Sequence, residues 1–332
     1  MAFKTATVQT GKVASTQSNF PVYVDLDRLG ITTLAEAESV RVYADEAKTT
    51  EWAREIVSVT EMHVKVPSLT SSTEIYVDYD GVRSDYAVGA TYGRNAVWSD
   101  FVFVFHFEDN LTDSAGNITV SSSANVTYGN GTLGRCAIGN GSSTRISLPN
   151  LNSYFSDDKA YLTVLAKLNN ATPNATVRTG LWFFSNQSSD THYPFTNGII
   201  YDGTFAGSRF NFSPTSVDRT EWHKISVSTQ SGANNWKFYQ NKQLAGQNTG
   251  PSQVEFITNC ALMCSRGVAP RWFLDGNMDE ARLANFTPSL DWIETEYNNQ
   301  NAESTFWGTW TDAGGGGGGA AQAARRGAVM MM

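Results

Sequence analysis

Ile225, Val227 and Thr229 alternate with Lys224, Ser226 and Ser228, the period of two expected of a half-buried β-strand. A Gly/Asn cluster breaks the run, and a second strand carries Trp236 and Phe238 on one face. Asn241-Lys242 then predicts a tight turn before Gln243-Leu244-Ala245. Earlier in the chain, Val22, Val24 and Leu26 alternate with Tyr23, Asp25 and Asp27. Val40/Val42, Val64/Val66 and Ile75/Val77/Tyr79 continue the pattern, and only 34–38 hints at a helical turn. Short strands at this spacing predict a small β-sandwich over residues 1–95.

Residues 81–95 are mixed and glycine-punctuated, and read as a connection. In the 101–107 run the phenylalanines share one face, with Val102, Val104 and His106 on the other, so this strand is expected to be buried on both sides. His106 reads as a core or sheet-face histidine with one satisfied nitrogen, the alternative being a functional imidazole. Strand-like runs continue at 146–148, 161–168, 181–184, 198–201 and 208–212. Thr287 as N-cap, Pro288 at the first helical position, and Leu290, Ile293 and Tyr297 on one face predict a closing helix that Asn298-Asn299 ends. The second domain is thus expected over 96–312. From 313 to 332 the chain changes in kind: Gly314 to Gly319 cannot pack, and a short apolar end follows. This flexible tail is either a disordered terminus or a tethered arm that docks on a neighbouring subunit.

Two resemblances attach to these residues. The 19–26 segment Asn-Phe-Pro-Val-Tyr-Val-Asp-Leu, with 40–45, 52–56, 64–69 and 75–80 in order, resembles the domain-of-unknown-function family numbered 2341. That family brings no established activity, and its members commonly carry a laminin G-like domain next. The hairpin around Asn241, the 275–284 strand and the Trp292 to Gln300 segment resemble laminin G-like, concanavalin A-type jelly rolls. The expected fold is therefore all-β: two β-sandwich domains, the second a concanavalin A-like (laminin G-like) jelly roll, with one short closing helix and a flexible glycine-rich tail. The pairing implies a phage or bacterial surface protein, and jelly rolls of this type present surfaces for sugars or proteins more often than chemistry.

Composition narrows the setting. Of 332 residues, 41% are hydrophobic and only 17% charged, so Ser, Thr, Asn, Gln and Gly must cover the surface, as in extracellular and virion β-proteins. A net charge of -8 argues against nucleic acid and against anionic lipid. No apolar run approaches membrane-spanning length, and the first eight residues lack the apolar core of a signal peptide. Cys136, Cys260 and Cys264 lack the further ligands of a zinc site and read as small buried groups.

Candidate chemistry is sparse. A glucanase-type strand would carry Glu-x-Asp-x-x-Glu, which is missing, and the adjacent Asp279 and Glu280 would point to opposite faces of a strand. No nucleophile elbow, His-Glu-x-x-His or phosphate-binding loop occurs, so no enzyme is expected. Calcium is the expected cofactor if one is bound, held by Asp109, Asp113 and Asn117 with Asp279; the alternative for this loop is turn chemistry. A sugar would stack on exposed aromatics, the candidates being Trp182, Tyr193, Tyr201, Trp236 and Trp272. The function expected is a non-enzymatic, phage-type virion structural or adhesion protein in a tail, fibre or capsid-decoration role. Its partners would be other virion subunits or further copies of itself, a homo-oligomer joined through the tail, and a cell-surface glycan. The alternative is a bacterial cell-surface or secreted carbohydrate-binding protein.

Overall fold

Phe20, Val22 and Val24 pair with Val66, Val64 and Met62 across the antiparallel strands Gln17–Asp25 and Glu61–Leu69, where β-branched side chains pack well. Arg54–Ile56 completes this three-stranded sheet. A five-stranded sheet, in the order Thr311–Asp312, Ala2–Thr7, Glu74–Tyr79, Arg41–Tyr43, Glu51–Trp52, contributes Ala6, Val42, Ile75 and Val77 to the same core. The computed structural model describes residues 2–155, 159–170, 180–183, 190–195, 199–203, 209–212, 218–230, 232–233, 237–247, 251–252, 260–264 and 272–314. The helical turn Leu34–Glu38 forms, closed by a reciprocal capping box between Thr33 and Glu36.

The second sandwich is built from two larger antiparallel sheets. One has the order Thr127–Asn130, Arg135–Asn140, Asp275–Ala284, Ala160–Leu168, His223–Thr229, Lys237–Gln240, Gln243–Gln247, with Phe101–Phe105 also paired to Asp275–Ala284. The other runs Arg209–Phe212, Ile199–Gly203, Asp190–Phe195, Gly180–Phe183, Ala261–Leu262, Arg145–Ser147, Ser122–Ala124. Phe103, Phe105, Leu162, Val164, Ile225, Phe238, Met278 and Leu283 fill the core that the larger sheet helps to enclose. Phe101–Phe105 is buried along its whole length, and Asn241 takes a left-handed turn conformation at φ 56. Cys136, Cys260 and Cys264 are buried. The chain is all-β, with few short helices.

The expected boundaries at 95 and 312 are crossed. The chain end returns to the first module: Val8 bridges to Trp307, Thr5 pairs with Thr311, and Lys4 with Asp312. Phe306 and Trp307 are buried in that module's core. Without this return, Ala2–Thr7 would be an open sheet edge. The tail beyond residue 314 lies outside the described residues.

The closing helix also departs from expectation. It spans Leu290–Asn301, and its N-cap is Ser289, whose Oγ accepts from the Trp292 backbone N–H at 3.1 Å. The Thr287 hydroxyl instead donates to the Thr229 carbonyl at 2.9 Å. Leu290 is exposed, while Ile293, Glu296, Asn299 and Gln300 are buried. The helix lies between the Gln17–Asp25 strand and the larger jelly-roll sheet, so more than one face is covered. Asn299 satisfies both backbone groups of Tyr23, at 2.6 and 3.0 Å.

The polar phase of the 224–228 alternation is buried too: Lys224, Ser226 and Ser228 are each 2% exposed or less. The larger jelly-roll sheet is covered on both faces, by its own sandwich core on one side and by the first module and the helix on the other.

Candidate functional site

Between the modules lies a layer of buried charge. Its position depends on a break in the alternation of Asp275–Ala284. Asp279 stands opposite Leu165 and Arg282 opposite Thr163, so Glu280 and Ala281 together face the single Val164. Glu280 has φ 51, and this bulge resets which residues point inward. Met278, Ala281 and Leu283 enter the jelly-roll core, whereas Ala284 packs in the core of the first module. Glu280 and Arg282 share the phase of Ala284.

Four elements converge there. Strand Glu61–Leu69 supplies Glu61 and His63, strand Arg54–Ile56 supplies Glu55, His106 follows Phe101–Phe105, and the bulge supplies Glu280. His106 Nδ1 lies 2.5 Å from Glu280 Oε1 and 3.5 Å from Glu61 Oε1, and its Nε2 lies 3.1 Å from Glu55 Oε2. His63 Nε2 is 2.9 Å from Glu61 Oε1 and 3.9 Å from Glu280 Oε2. The two imidazoles stack with centroids 4.8 Å apart. Glu55 also accepts from Trp98 Nε1 and from the Ser114 hydroxyl at 2.6 Å. Arg282 donates to Glu280 Oε2 through Nε at 2.9 Å and through Nη2, and its guanidinium lies over the Trp98 ring. His106 is thus no core histidine with one satisfied nitrogen: both nitrogens meet carboxylates, because the first module supplies Glu55.

Burial opposes charge at each of these groups, and the neighbours decide the result. At His106 burial favours the neutral ring, but Glu280 and Glu55 outweigh it and push the pKa up to about 10. At His63 burial wins, with help from the His106 and Arg282 charges, and holds the pKa well below the usual imidazole value. Glu61 is pushed well above the carboxylate range by burial and then by the Glu280 charge. Glu280 is buried as well, yet Arg282 and His106 hold it well below that range. Gly134 makes room: at φ +143, a Cβ there would stand 2.1 Å from Glu108 Oε1 and 2.7 Å from Glu61 Oε2. Phe107, next to His106, has φ 62, an outlier for a bulky residue of the kind that clusters at functional sites.

A second tier continues under the helix. Lys224 Nζ meets Glu296 Oε2 at 2.9 Å and Gln300 Oε1 at 2.8 Å, and Tyr161 donates to Glu296 at 2.6 Å. Arg282 Nη1 reaches Glu296 at 3.4 Å, which links the two tiers.

Above His106 the layer opens into a cleft of about 180 Å³ between the modules. Asp85, Arg94, Glu108, Asn110 and Thr112 line it, with Val88 and Tyr86 supplying apolar surface and Glu55 and His106 also contributing. Arg54 is ion-paired with Asp85 and crosses the Tyr86 ring. Burial raises the pKa of Glu108, whose Oε1 accepts from the Arg135 backbone N–H.

The expected calcium ligands have separate local partners. Asp113 accepts from the backbone N–H groups of Val104, Ala115, Asn117 and Ile118 at 2.8–3.0 Å. Asp109 pairs with Arg135 at 2.8 Å, Asn117 donates to the Phe101 carbonyl, and Asp279 accepts from the Thr132 and Leu133 backbone. Turn and loop chemistry thus accounts for the spacing. Among the described residues, the set whose ligand atoms do converge is Glu61, His63, His106 and Glu280, all within 4.8 Å of one another. Of the expected sugar platform, Trp182, Tyr193 and Tyr201 fall on three successive strands of the seven-stranded sheet, though their side chains lie outside the described residues. Trp236 is also outside them, and Trp272 is half-buried with φ 48. Trp272 is not among the described residues that line the cleft. Sequence reasoning missed Glu55, Glu61, His63 and Arg282, and the one available signal was charge recurring beside Val64 and Leu283 in strongly apolar strands.

No protein-family model matches the chain, and no curated protein sequence matches it. Among solved structures, domain 4 of the extracellular arabinanase AbnA of Geobacillus stearothermophilus, in complex with arabinotriose, is similar at 20% identity and a TM-score of 0.47, over 59% of this chain and 97% of that one. The binding domain of Paraclostridial Mosquitocidal Protein 1 is similar at 12% identity and TM-score 0.48, over 60% and 52%. A botulinum neurotoxin type C structure, whose cell entry depends on two ganglioside molecules, is similar at 13% and 0.48, over 62% and 52%. The chain thus spans about half the length of the two toxin chains.

Proposed function

We propose that the protein recognises a glycan in the junction cleft without catalysis, as an adhesion or structural subunit of a phage-type virion. The observation that carries this reading is the cleft lining. Carboxylate, guanidinium, amide and hydroxyl groups from Asp85, Arg94, Glu108, Asn110 and Thr112 surround about 180 Å³, next to the apolar surface of Val88 and Tyr86. A sugar offers hydroxyl pairs along its edge and C–H groups on its face, which such a lining matches. The cleft's acids support recognition over hydrolysis. Glu55 is held by Trp98, Ser114 and His106, Asp85 by Arg54, and Glu108 by the Arg135 backbone N–H. Hydrolysis needs an acid and a base that are available on opposite sides of the bond.

Calorimetry of the full chain against a panel of bacterial surface oligosaccharides tests the proposal. At least one should bind, and Arg94→Ala or Asn110→Ala should weaken it about tenfold, or about 1.4 kcal/mol, with the melting temperature unchanged. A panel without a ligand, binding indifferent to both changes, or release of reducing ends would overturn it. Mass spectrometry of purified particles checks the virion setting. Absence from particles would favour the bacterial surface alternative.

A further inference from the structure

We propose that Glu61, His63, His106 and Glu280 bind one divalent first-row transition ion, best matched by zinc, which ties the two modules together. The four residues offer one ligand atom each, all within 4.8 Å of one another: His106 Nδ1 stands 2.5 Å from Glu280 Oε1 and 3.5 Å from Glu61 Oε1, and His63 Nε2 stands 2.9 Å from Glu61 Oε1. A tetrahedron with zinc bonds of about 2.0–2.1 Å has edges of about 3.3–3.4 Å. An ion therefore needs the four side chains to shift by less than about 1 Å, within ordinary rotamer adjustment.

The surroundings are those of a metal site. His106 turns its other nitrogen to Glu55 at 3.1 Å, and Trp98 and Ser114 in turn hold Glu55. This is the carboxylate–histidine–metal relay that fixes ring orientation in such centres. The Glu280 oxygen on the far side is held by Arg282. His63 Nδ1 is buried with no hydrogen-bond partner, and the hydrogen bond that Nε2 makes is to Glu61, itself one of the proposed ligands, so an ion would take the place of the proton between them. Imidazole donors favour zinc and its neighbours over calcium or magnesium. In the ion-bound form both imidazoles are neutral and Glu61 is ionised, so three carboxylates (Glu55, Glu61, Glu280) and one guanidinium (Arg282) sum to the two negative charges that one divalent ion cancels, and binding releases protons. His106 and Glu55 also line the cleft, which gives an entry path. Two ligands come from each module, so the ion would hold the walls of the cleft in register.

The test uses chelator-stripped full-length protein titrated with zinc chloride, with metal content measured after dialysis. One zinc per chain should be retained, and the melting temperature should rise. Cobalt(II) should give the strong visible bands of tetrahedral coordination. Glu61→Gln keeps the shape of the side chain and should weaken zinc binding at least about 100-fold, the upper end of what losing an outer-shell partner costs. The stripped variant should melt as the stripped wild type does. Folded wild type that retains no zinc, zinc binding unaffected by Glu61→Gln, or stabilisation by calcium with zinc inert would each overturn the proposal. A negative result leaves the glycan reading standing, because Arg94 and Asn110 are not ligands.

Discussion

The His106 ring and the Glu280 carboxylate, 174 positions apart in the chain, meet at 2.5 Å. The contact exists because a one-residue bulge gives Glu280 the phase of the outward face of its sheet, and because the first module covers that face. Asp279, the preceding residue, instead caps the backbone of Thr132 and Leu133. Two adjacent acids thus have unrelated roles, and the stability of the junction depends on the second.

Replacing Glu280 by Ala leaves Arg282 and His106 buried without their main acceptor. Removing one partner of a buried pair costs about 3–5 kcal/mol. Urea denaturation should show a loss of that size, and a loss below about 1 kcal/mol would mean that the layer is solvated.

The return of the chain end should be essential. A chain ended after Ala302 loses Phe306 and Trp307, both 1% exposed or less. Buried aromatics of this size are worth about 3–5 kcal/mol each. That truncation should abolish a cooperative melt in calorimetry, while a chain ended after Gly314 retains one.

Lys224 gives a pH signature. Burial outweighs the attraction of Glu296 and lowers its pKa from 10.5 to about 8. Between those values the unfolded chain binds more protons than the folded one, so the lysine's contribution to stability rises with pH, by about 1.4 kcal/mol per unit. Below pH 8 both states are protonated and the contribution is constant. The stability difference between wild type and Lys224→Met should therefore move in favour of wild type from pH 8 towards pH 10. A flat difference in urea titrations would contradict this.

Asp113 should behave as a structural acceptor. Its carboxylate serves four backbone donors, two of them, on Val104 and Ala115, in buried positions. Unsatisfied buried donors cost about 1–3 kcal/mol each, so Asp113→Ala should lose at least about 2 kcal/mol by the same reasoning. Calcium chloride should leave the wild-type melting temperature unchanged; a rise would restore the loop as a calcium site.

The limits of the sequence are plain at single residues. Thr287 and Ser289 both precede the closing helix and both can cap, and the need of Thr229 for a donor decided between them. Leu290 fits an apolar period yet is exposed, because the surfaces that grip the helix select Ile293, Glu296 and Asn299 instead. Glu61 and His63 sit in the polar phase of a strand whose other phase is Met62, Val64 and Val66. A polar phase reads the same whether water or another module's carboxylates lie beyond it.

Alternation, turn chemistry and capping act over a few residues, so the sequence alone determined the all-β class, the turn at Asn241, the Leu34–Glu38 turn of helix and the two-sided burial of Phe101–Phe105. Tertiary structure decided the rest: the edge strand that returns from residue 311, the burial of Lys224 and Ser226, and the convergence of Glu61, His63, His106 and Glu280. Those features depend on which sheet face meets which, and on a bulge that shifts the register by one residue. Both are settled by the packing of segments far apart in the chain, where a local period carries no information.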